Sequence, residues 1–337
     1  MNNYVTLFDK NYFSRGMLLL NSLRKVSENG FTLYILAIDD IVYDFFNKND
    51  VSSVVCFDIA AITEMYPVLD RIREERTRGE FCWTLASFSI QYVIRKYELN
   101  ACTYLDSDIY FFDNPQRLIS EAGNKSVIIT EHNFYKEYDT SDINGKFCVQ
   151  FMSFKNTQGG DEVLEWWRNK CEEWCYNRHE DGKFGDQRYL DDWESRFKHI
   201  VYNCKNIGCG LAPWNCQKYE LNRVDGTWMV TDKLTKVCDA LVFYHFHDLY
   251  KLSDGRWSLS GYEIPIYMRD IYYLYISELR RIEREYPELA SNAVDLRDIN
   301  ESHMVLKSIY RGIKSMFYWY NRFTLPVKNV VNEIEID

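Results

Sequence analysis

Two aspartates one residue apart, Asp106 and Asp108, have the spacing that most directly suggests chemistry in this chain. They follow a short apolar run, residues 101–105, which is too short for a helix and predicts a buried strand. Side chains at the carboxyl end of such a strand face the crevice in which open α/β sheets bind ligands. Two carboxylates this close repel each other unless a cation lies between them. A divalent ion that also binds phosphate oxygens would satisfy the pair, although the motif alone is more typical of a solvated turn.

Other polar groups follow predicted strands elsewhere in the chain. Residues 9–12 follow the first strand, Asp186 and Gln187 lie in the middle of the chain, and His245 and His247 follow a late strand. A lone histidine at a strand end is more often a hydrogen-bonded core residue, but with two aspartates upstream we predict that His245 is an ion ligand. His247 is an alternative ligand, and we expect only one of the two histidines to face the ion. Asp186 and Gln187 could instead cap the helix that follows.

The apolar periodicity predicts the strands and helices that would position these residues. Predicted strands occupy residues 4–8, 31–38, 53–57, 101–105, 126–130, 146–154 and 240–244. Predicted helices occupy residues 12–25, 43–48, 64–78, 81–97, 162–176, 264–286 and 304–322. The alternation implies an α/β fold with a parallel sheet and right-handed crossovers. The loop after the first strand should then lie at the same sheet edge as Asp106.

Composition and charge exclude several classes of protein. The chain has 337 residues, 46% of them hydrophobic, which suits one large α/β domain with additions. The formal net charge of −10 argues against a nucleic-acid partner, which normally requires a basic excess. We expect no signal peptide and no transmembrane helix. The ten cysteines lie mostly in apolar segments, so we predict a cytoplasmic protein with reduced thiols.

Two clusters have a structural explanation that we favour over ligand binding. The polar segment 64–78 contains four arginines that could reach a diphosphate, but a solvated helix face is favoured. These arginines are Arg71, Arg73, Arg76 and Arg78. Cys171, Cys175 and His179 are spaced four residues apart on a predicted helix and could hold zinc. Packing is favoured there because no clear fourth ligand accompanies them.

The segment 208–216 predicts a loop in which Trp214 is exposed beside Pro213. An exposed indole could stack on an acceptor sugar, and burial in the core is the alternative. We predict acceptor contacts from Trp214, Asn215 and His247.

Taken in order, residues 9–12, Asp106 with Asp108, Asp186-Gln187 and His245 resemble the motifs of nucleotide-diphospho-sugar glycosyltransferases with the GT-A fold. Their order and spacing are most similar to glycosyltransferase family 8, or to a related bacterial family of surface-polysaccharide transferases. The resemblance implies a GT-A catalytic domain over residues 1–260, built on a Rossmann-like mixed sheet flanked by helices. A C-terminal helical extension would occupy residues 261–337.

The resemblance also implies roles for individual residues. It assigns the donor nucleotide to Phe8, Asp9, Asn11, Tyr12, Asp106, Ser107 and Lys251. It assigns the ion to Asp106, Asp108 and His245, and the transferred sugar to Asp186 and Gln187. In family 8 a Lys-Pro-Trp sequence that comes after the histidine binds the diphosphate. The segment after His245 has no such sequence here, and Lys251 is the residue that could take its role.

The implied activity is transfer of a hexose from a UDP-sugar to a saccharide acceptor, with Mn²⁺ or Mg²⁺ as cofactor. The setting would be synthesis of a bacterial surface polysaccharide, such as lipopolysaccharide or capsule. The motif order favours retention of configuration, and inversion with Asp186 as the base is the alternative. A sugar nucleotidyltransferase is a less favoured alternative, because it would need a glycine-rich basic loop after the first strand and the sequence has none there. A non-catalytic carbohydrate-binding protein is also less favoured, because such a protein would not need intact acids and a histidine.

Residues 304–323 predict a basic, aromatic, amphipathic helix. Such a helix suits an anionic membrane surface, and packing on the domain explains the pattern equally well. In the first case the protein would lie peripherally on the inner face of the plasma membrane. Its acceptor would then be a lipid-linked glycan.

Overall fold

The computed structural model describes residues 2–253 and 255–292, together with the backbone of residues 333–334. Its helices are α1 Phe13–Val26, α2 Asp40–Lys48, α3 Ile59–Met65, α4 Val68–Glu75, α5 Arg78–Lys96, α6 Gln116–Glu121, α7 Ser141–Asn144, α8 Gln158–Glu173, α9 Trp193–Arg196 and α10 Arg269–Glu285. Its strands are β1 Asn2–Phe8, β2 Phe31–Ala37, β3 Val54–Asp58, β4 Ala101–Leu105, β5 Ile109–Phe111, β6 Val127–Glu131, β7 Phe147–Lys155, β8 Val201–Asn203, β9 Tyr219–Val224, β10 Thr227–Asp232, β11 Cys238–Ala240, β12 Phe243–His245, β13 Tyr250–Lys251, β14 Trp257–Ser258 and β15 Glu333–Ile334.

The main sheet has the strand order β3-β2-β1-β4-β7-β6-β8. β1 pairs in parallel with β2 and β4, whereas β7 runs antiparallel to β4 and β6. The predicted α/β class, with a mixed sheet flanked by helices, is confirmed. Val5 of β1 pairs with Tyr104 of β4, so both strands end at one edge. The segments that begin at Asp9 and Asp106 therefore lie together at that edge, as the alternation of elements predicts.

Neighbouring residues of the central strands enter two hydrophobic clusters, one on each face of the sheet. Tyr4 of β1 belongs to the same cluster as Leu19 of α1 and Tyr275 of α10. Val5, the next residue, belongs to the other cluster with Leu85 of α5. This division follows from the two-residue period of a strand. It also means that α10 shares the core of the main sheet.

Two helix boundaries differ from the prediction for reasons that are local in the sequence. The predicted helix 64–78 is two helices, α3 and α4, which are separated at Pro67 because proline cannot continue a helix. α5 begins at Arg78 because Thr77 and Glu80 form a capping box at its start. The first turn of α5 thus carries Arg78 to the edge of the sheet at which β1 ends.

The predicted strand 240–244 is two short strands with different partners. β11 closes an antiparallel meander with β9 and β10, which the sequence reasoning missed, and β12 pairs with β5. The division matters for the site because β12 ends at His245. Its partner β5 begins directly after Asp108.

The C-terminal extension is described only in part. α10 corresponds to the predicted helix 264–286. The predicted helix 304–323 lies outside the described residues. Within the described residues, no helix has both the length and the apolar character needed to cross a bilayer.

Candidate functional site

The antiparallel pairing of β5 and β12 brings His245 next to Asp108. His245 stands opposite Ile109, and the backbone N–H of Phe246 donates to the carbonyl of Asp108 over 2.9 Å. In this register the Nε2 atom of His245 lies 3.0 Å from Oδ1 of Asp108. It lies 3.9 Å from Oδ2 of Asp106. Residues far apart in the chain thus meet at the carboxyl end of β4.

His247 faces the same point as His245. One ligand atom from each of Asp108, His245 and His247 lies within 4.8 Å of the other two. The prediction that only one of the two histidines would face this point is wrong. His247 lies in the turn that follows β12, and this turn brings its imidazole to Asp108 beside that of His245. We refer to Asp106, Asp108, His245 and His247 as the Asp/His cluster.

Gln150 of β7 fixes the orientation of the His245 ring. Its side-chain Oε1 lies 2.8 Å from Nδ1 of His245, and its backbone carbonyl accepts a 3.0 Å bond from the N–H of Asp106. A hydrogen bond from Nδ1 leaves Nε2 as the atom that faces Asp108. Gly210, at φ +75°, leaves space for this amide, because a Cβ there would lie 2.7 Å from Nε2 of Gln150. Sequence reasoning missed Gln150, a lone amide in an otherwise apolar strand.

Burial and mutual charge shift the pKa values in the Asp/His cluster. Burial is the main cause that raises the pKa of Asp106 to about 6, and His245 opposes the shift. Burial also acts to raise the pKa of Asp108, but the charge and hydrogen bond of His245 outweigh it and hold that pKa well below its usual range. Burial acts to lower the pKa of His245, and Asp108 outweighs it and raises that pKa well above its ordinary value.

These shifts show how the cluster balances its negative charge. A protonated His245 supplies the positive charge that the two carboxylates require. A divalent ion would supply the same charge and bind a neutral imidazole. Two carboxylates and two imidazoles are ligands that Mn²⁺ and related ions accept, so the residues present fit such an ion. Tyr104 supports the arrangement by donating a 3.0 Å hydrogen bond to Oδ1 of Asp106.

Asp186 lies close enough to Asp106 for their charges to interact. Burial, followed by the charge of Asp106, raises the pKa of Asp186 to about 8. The backbone carbonyl of Asp186 accepts a 2.9 Å hydrogen bond from the indole of Trp167. Gln187 donates its side-chain amide to the carbonyl of Asn144 over 2.6 Å and makes no side-chain capping bond to the turn that follows.

The loop after β1 is organised by its own aspartate. Asp9 accepts hydrogen bonds from the backbone N–H groups of Asn11 (2.9 Å) and Tyr12 (3.2 Å). The Tyr12 ring is partly exposed. Phe8, which was also predicted to contact the nucleotide, is only 2% exposed. Its ring packs so closely on Gly16 that a Cβ there would lie 2.3 Å from it.

Arg78 joins the loops that follow β1 and β2. Its guanidinium lies 2.7 Å from Asp9 and 3.4 Å from Asp39. Asp39 also accepts a 2.8 Å bond from the backbone N–H of Lys10. We refer to Asp9, Asp39 and Arg78 as the Asp/Arg network. Asp39, Arg78 and Arg73 line a cavity of about 760 Å³ between this network and α3.

Arg76 departs from the predicted solvated helix face. It is 7% exposed and donates to the carbonyls of Cys171 (2.7 Å) and Glu172 (2.8 Å) at the end of α8. The prediction is wrong for this residue because the last carbonyls of a helix need donors, and Arg76 supplies them. Arg71, by contrast, is exposed and pairs with Glu75.

Arg15 is a buried cation that sequence reasoning missed. Its guanidinium carbon lies 4.7 Å from the centre of the Tyr12 ring, and it donates to the carbonyl of Leu249 over 2.6 Å. Its charge interacts with that of Asp108. The signal in the sequence was an arginine in the first turn of α1, one turn after Asn11 and just before the apolar run of that helix. It stands between the loop after β1 and the Asp/His cluster.

Trp214 is buried, so the prediction of an exposed ring is wrong. Its indole N–H donates to the carbonyl of His132 over 2.8 Å. Its ring centre lies 5.3 Å from that of His245 and 5.4 Å from that of His247. Asn215 is also buried and donates to the carbonyls of His132 and Gly210. Acceptor contacts from these residues stay a prediction.

Ser107 and Lys251 are the two remaining predicted nucleotide contacts. Ser107 is buried between the two aspartates of the Asp/His cluster. Lys251 of β13 forms a 2.9 Å ion pair with Glu283 of α10. Its charge is therefore matched within the fold.

The cysteine cluster considered for zinc is divided by the end of a helix. α8 ends at Glu173, so Cys175 and His179 do not continue the helix that carries Cys171. Both cysteines are buried.

Comparison with known proteins finds distant similarity. No family model matches this chain. Protein YfnD of Bacillus subtilis (strain 168), described as uncharacterized, is 26% identical over 319 residues, which are 90% of this chain and 98% of YfnD. Among solved structures, an active-site mutant of LgtC is 12% identical with a TM-score of 0.46, over 74% of this chain and 88% of LgtC.

Mouse xyloside xylosyltransferase 1 is 12% identical with a TM-score of 0.42, over 63% of this chain and 87% of that protein. LgtC is described as a galactosyltransferase. TM-scores this low do not establish a shared fold, and the chemistry of the site rests on its own residues.

Proposed function

We propose that the protein transfers a hexose from a UDP-sugar to a saccharide acceptor with the help of a divalent cation. The single observation that carries this proposal is the meeting of Asp108 and His245 beside Asp106 at the carboxyl edge of the sheet. Oxygen and imidazole ligands at this edge suit an ion that also binds a diphosphate. Residues 1–260 would form the catalytic domain, with a helical extension after them.

In this proposal Asp106, Asp108 and His245 hold the ion, Mn²⁺ or Mg²⁺. When bound, the ion would offset the negative charge that builds up on the departing nucleoside diphosphate. Arg15 supports the same task, because it places a buried cation within electrostatic reach of Asp108. Such fixed charges stabilise a transition state more in a buried site than in water.

The nucleoside would bind at the loop after β1. Asp9 holds the backbone of Asn11 and Tyr12 in place, and the Asp/Arg network ties this loop to the one after β2. The neighbouring cavity of about 760 Å³ offers room for a base and ribose. Ser107 and Lys251 complete the proposed contacts, with Lys251 near the diphosphate.

Asp186 and Gln187 would lie beside the transferred sugar. In a retaining reaction they would stabilise the positive charge at the anomeric carbon. An inverting reaction is the second candidate, because Asp186 is a carboxyl within electrostatic reach of Asp106 and could take the acceptor proton. Its pKa, raised to about 8, means that only the minority of molecules with an ionised Asp186 could do so near neutral pH. NMR of the product anomer distinguishes retention from inversion.

The acceptor would be a saccharide, in the synthesis of a bacterial surface polysaccharide. Of the predicted contacts Trp214, Asn215 and His247, the first two are buried, so His247 is the one that an acceptor would reach directly. A lipid-linked acceptor would suit the predicted helix 304–323 on the inner face of the plasma membrane. Removing residues 304–337 should then lower co-sedimentation with anionic vesicles, and unchanged co-sedimentation would contradict this part of the proposal.

The proposal is tested by measuring UDP release from a panel of UDP-sugars with Mn²⁺ and with EDTA. We expect release only with Mn²⁺, and a loss of about 1,000-fold in Asp108→Asn, because a metal contributes several kcal/mol to catalysis. Asp225→Asn is the matched control, since Asp225 lies in an exposed turn of the β9–β10 hairpin. Release of pyrophosphate instead of UDP would indicate a nucleotidyltransferase. Absence of any UDP-sugar binding would overturn the proposal.

A further inference from the structure

We propose that Asp108, His245 and His247 bind the ion together, so that the site prefers Mn²⁺, Co²⁺ or Zn²⁺ to Mg²⁺. This inference rests on the proposed function and deepens it. It makes His247 an ion ligand instead of an acceptor contact. It also excludes one of the two cofactors that the family resemblance allows.

The geometry of the three side chains is close to that of a bound ion. Their ligand atoms lie within 4.8 Å of one another. Two ligands that are each about 2.1 Å from one ion can be at most about 4.2 Å apart. Small side-chain rotations therefore close the set around an ion. His247 is exposed and can make this adjustment, whereas Asp108 and His245 are buried.

Both imidazoles are held by neighbouring groups. Gln150 contacts Nδ1 of His245 over 2.8 Å, so Nε2 of that ring faces Asp108. Trp214 makes edge-to-face contacts with both histidines, which limit the rotation of each ring, and the two imidazole planes are 79° apart. Groups of this kind orient metal ligands and raise the affinity of a site.

Asp106 can bind the same ion through one oxygen. Its Oδ1 accepts the hydrogen bond from Tyr104, which leaves Oδ2, 3.9 Å from Nε2 of His245. The corresponding distance for Asp108 is 3.0 Å. Both distances are below the limit of about 4.2 Å for two ligands of one ion, so we infer that His247 adds a second imidazole to the two carboxylates and replaces neither of them.

The ligand set determines the class of ion. Mg²⁺ prefers oxygen ligands in a strict octahedron and retains its waters, so two imidazoles suit it poorly. Mn²⁺, Co²⁺ and Zn²⁺ accept imidazole nitrogen, and Co²⁺ generally binds such a set more tightly than Mn²⁺. Because His247 is exposed, diphosphate oxygens could reach an ion that these residues would hold.

The test is a titration of the nucleotide-free protein with Co²⁺, followed by visible absorption, and with Mn²⁺, followed by electron paramagnetic resonance. Losing a group that only orients a ligand lowers metal affinity by about 10- to 100-fold. Because His247 would itself be a ligand, we expect His247→Ala to lower Co²⁺ affinity by about 100-fold, the upper end of that range. His199→Ala should change nothing, since His199 is an exposed histidine before β8 at the opposite end of the sheet. Thermal unfolding midpoints of the two variants should agree, because both histidines are exposed.

A second variant should weaken the preference for Mn²⁺ over Mg²⁺. His247→Asp replaces the imidazole by a carboxylate, so we expect it to bind Mn²⁺ and to let Mg²⁺ compete with it, as Mg²⁺ does not in the natural protein. The inference would be overturned if His247→Ala left the Co²⁺ affinity unchanged. It would also be overturned if Mg²⁺ competed equally well in the natural protein and in His247→Asp.

The two proposals fail in different ways. Ion binding that depends on His247, without UDP release from any UDP-sugar, would support the ion site and overturn the glycosyl transfer. UDP release that requires Mn²⁺ but survives His247→Ala with unchanged ion affinity would overturn the inference and support the transfer.

Discussion

The Asp/His cluster and the Asp/Arg network lie at the same edge of the sheet but balance their charges differently. In the cluster, Asp108 and His245 are buried, and the positive charge comes from an imidazole that can lose its proton. In the network, the side chain of Arg78 is 56% exposed, and it pairs with two aspartates at 2.7 and 3.4 Å. Buried charges interact strongly and exposed ones are screened. We therefore expect large effects from changes near the cluster and small effects from changes in the network.

The largest expected effect is on the pH dependence of stability, through Asp186 beside the cluster. Burial raises its pKa to about 8 in the folded protein, above the ordinary value of about 3.9 that applies in the unfolded chain. Between these values the folded state binds more protons, so stability falls as pH rises. From pH 5 to pH 8 the loss is at most about 4 kcal/mol.

Asp186→Asn should remove this loss. The measurement is the free energy of unfolding in urea at pH 5 and pH 8, with EDTA present in every sample. We expect the natural protein to lose stability relative to Asp186→Asn over this range. Parallel pH profiles for the two proteins would mean that Asp186 is ionised in the folded state.

The next effect is on the orientation of the cluster. Gln150→Leu removes the partner of Nδ1 of His245, and we expect Mn²⁺ affinity to fall by about 10- to 100-fold. Nitrogen NMR should also show the loss of the tautomer that carries the proton on Nδ1, which a purely structural role would not predict.

Ser153→Ala is the matched control for Gln150→Leu. Ser153 is a buried polar residue of the same strand that bonds Thr103 over 2.9 Å. Its loss should lower stability and leave Mn²⁺ affinity unchanged. Equal loss of Mn²⁺ affinity in both variants would show that β7 acts only through the general integrity of the sheet.

The smallest effect is expected in the Asp/Arg network. Arg78→Met breaks two ion pairs in which the Arg78 side chain is 56% exposed, so the free energy of unfolding should change by less than about 1 kcal/mol. KM for the UDP-sugar should rise while kcat stays nearly constant, because the network orients the loop that we propose to bind the nucleoside. Arg78→Lys should recover part of the loss. A large fall in kcat with an unchanged KM would place Arg78 in the chemical step and erase the contrast between the two regions.

Short-range patterns account for the parts of the fold and site that could be predicted. The apolar runs predicted most strands of the main sheet. The meeting of Asp106, Asp108 and His245 was predicted from the resemblance of the ordered motifs, together with the two aspartates upstream of the histidine. The place of the second histidine, His247, could not be read from the same pattern, because β12 ends at His245 and the turn after it directs the His247 ring.

Residues whose roles depend on long-range register could not be found in the same way. Gln150 contacts His245 only because β7 lies beside β4, and Arg76 contacts α8 only through the packing of α4. Trp214 was predicted to be exposed because a proline precedes it, but the carbonyl of His132 holds its indole inside. In each case the partner lies far away in the sequence, and local patterns carry no information about it.

The central claim is that Asp108 and His245 hold one ion to which the diphosphate of a UDP-sugar binds. Calorimetric titration of UDP into the protein, with Mn²⁺ and with EDTA, tests it most directly. We predict that UDP binds only with Mn²⁺ and that Asp108→Asn abolishes this binding while Asp225→Asn does not. UDP binding that is equally strong in EDTA, or unchanged in Asp108→Asn, would contradict the claim.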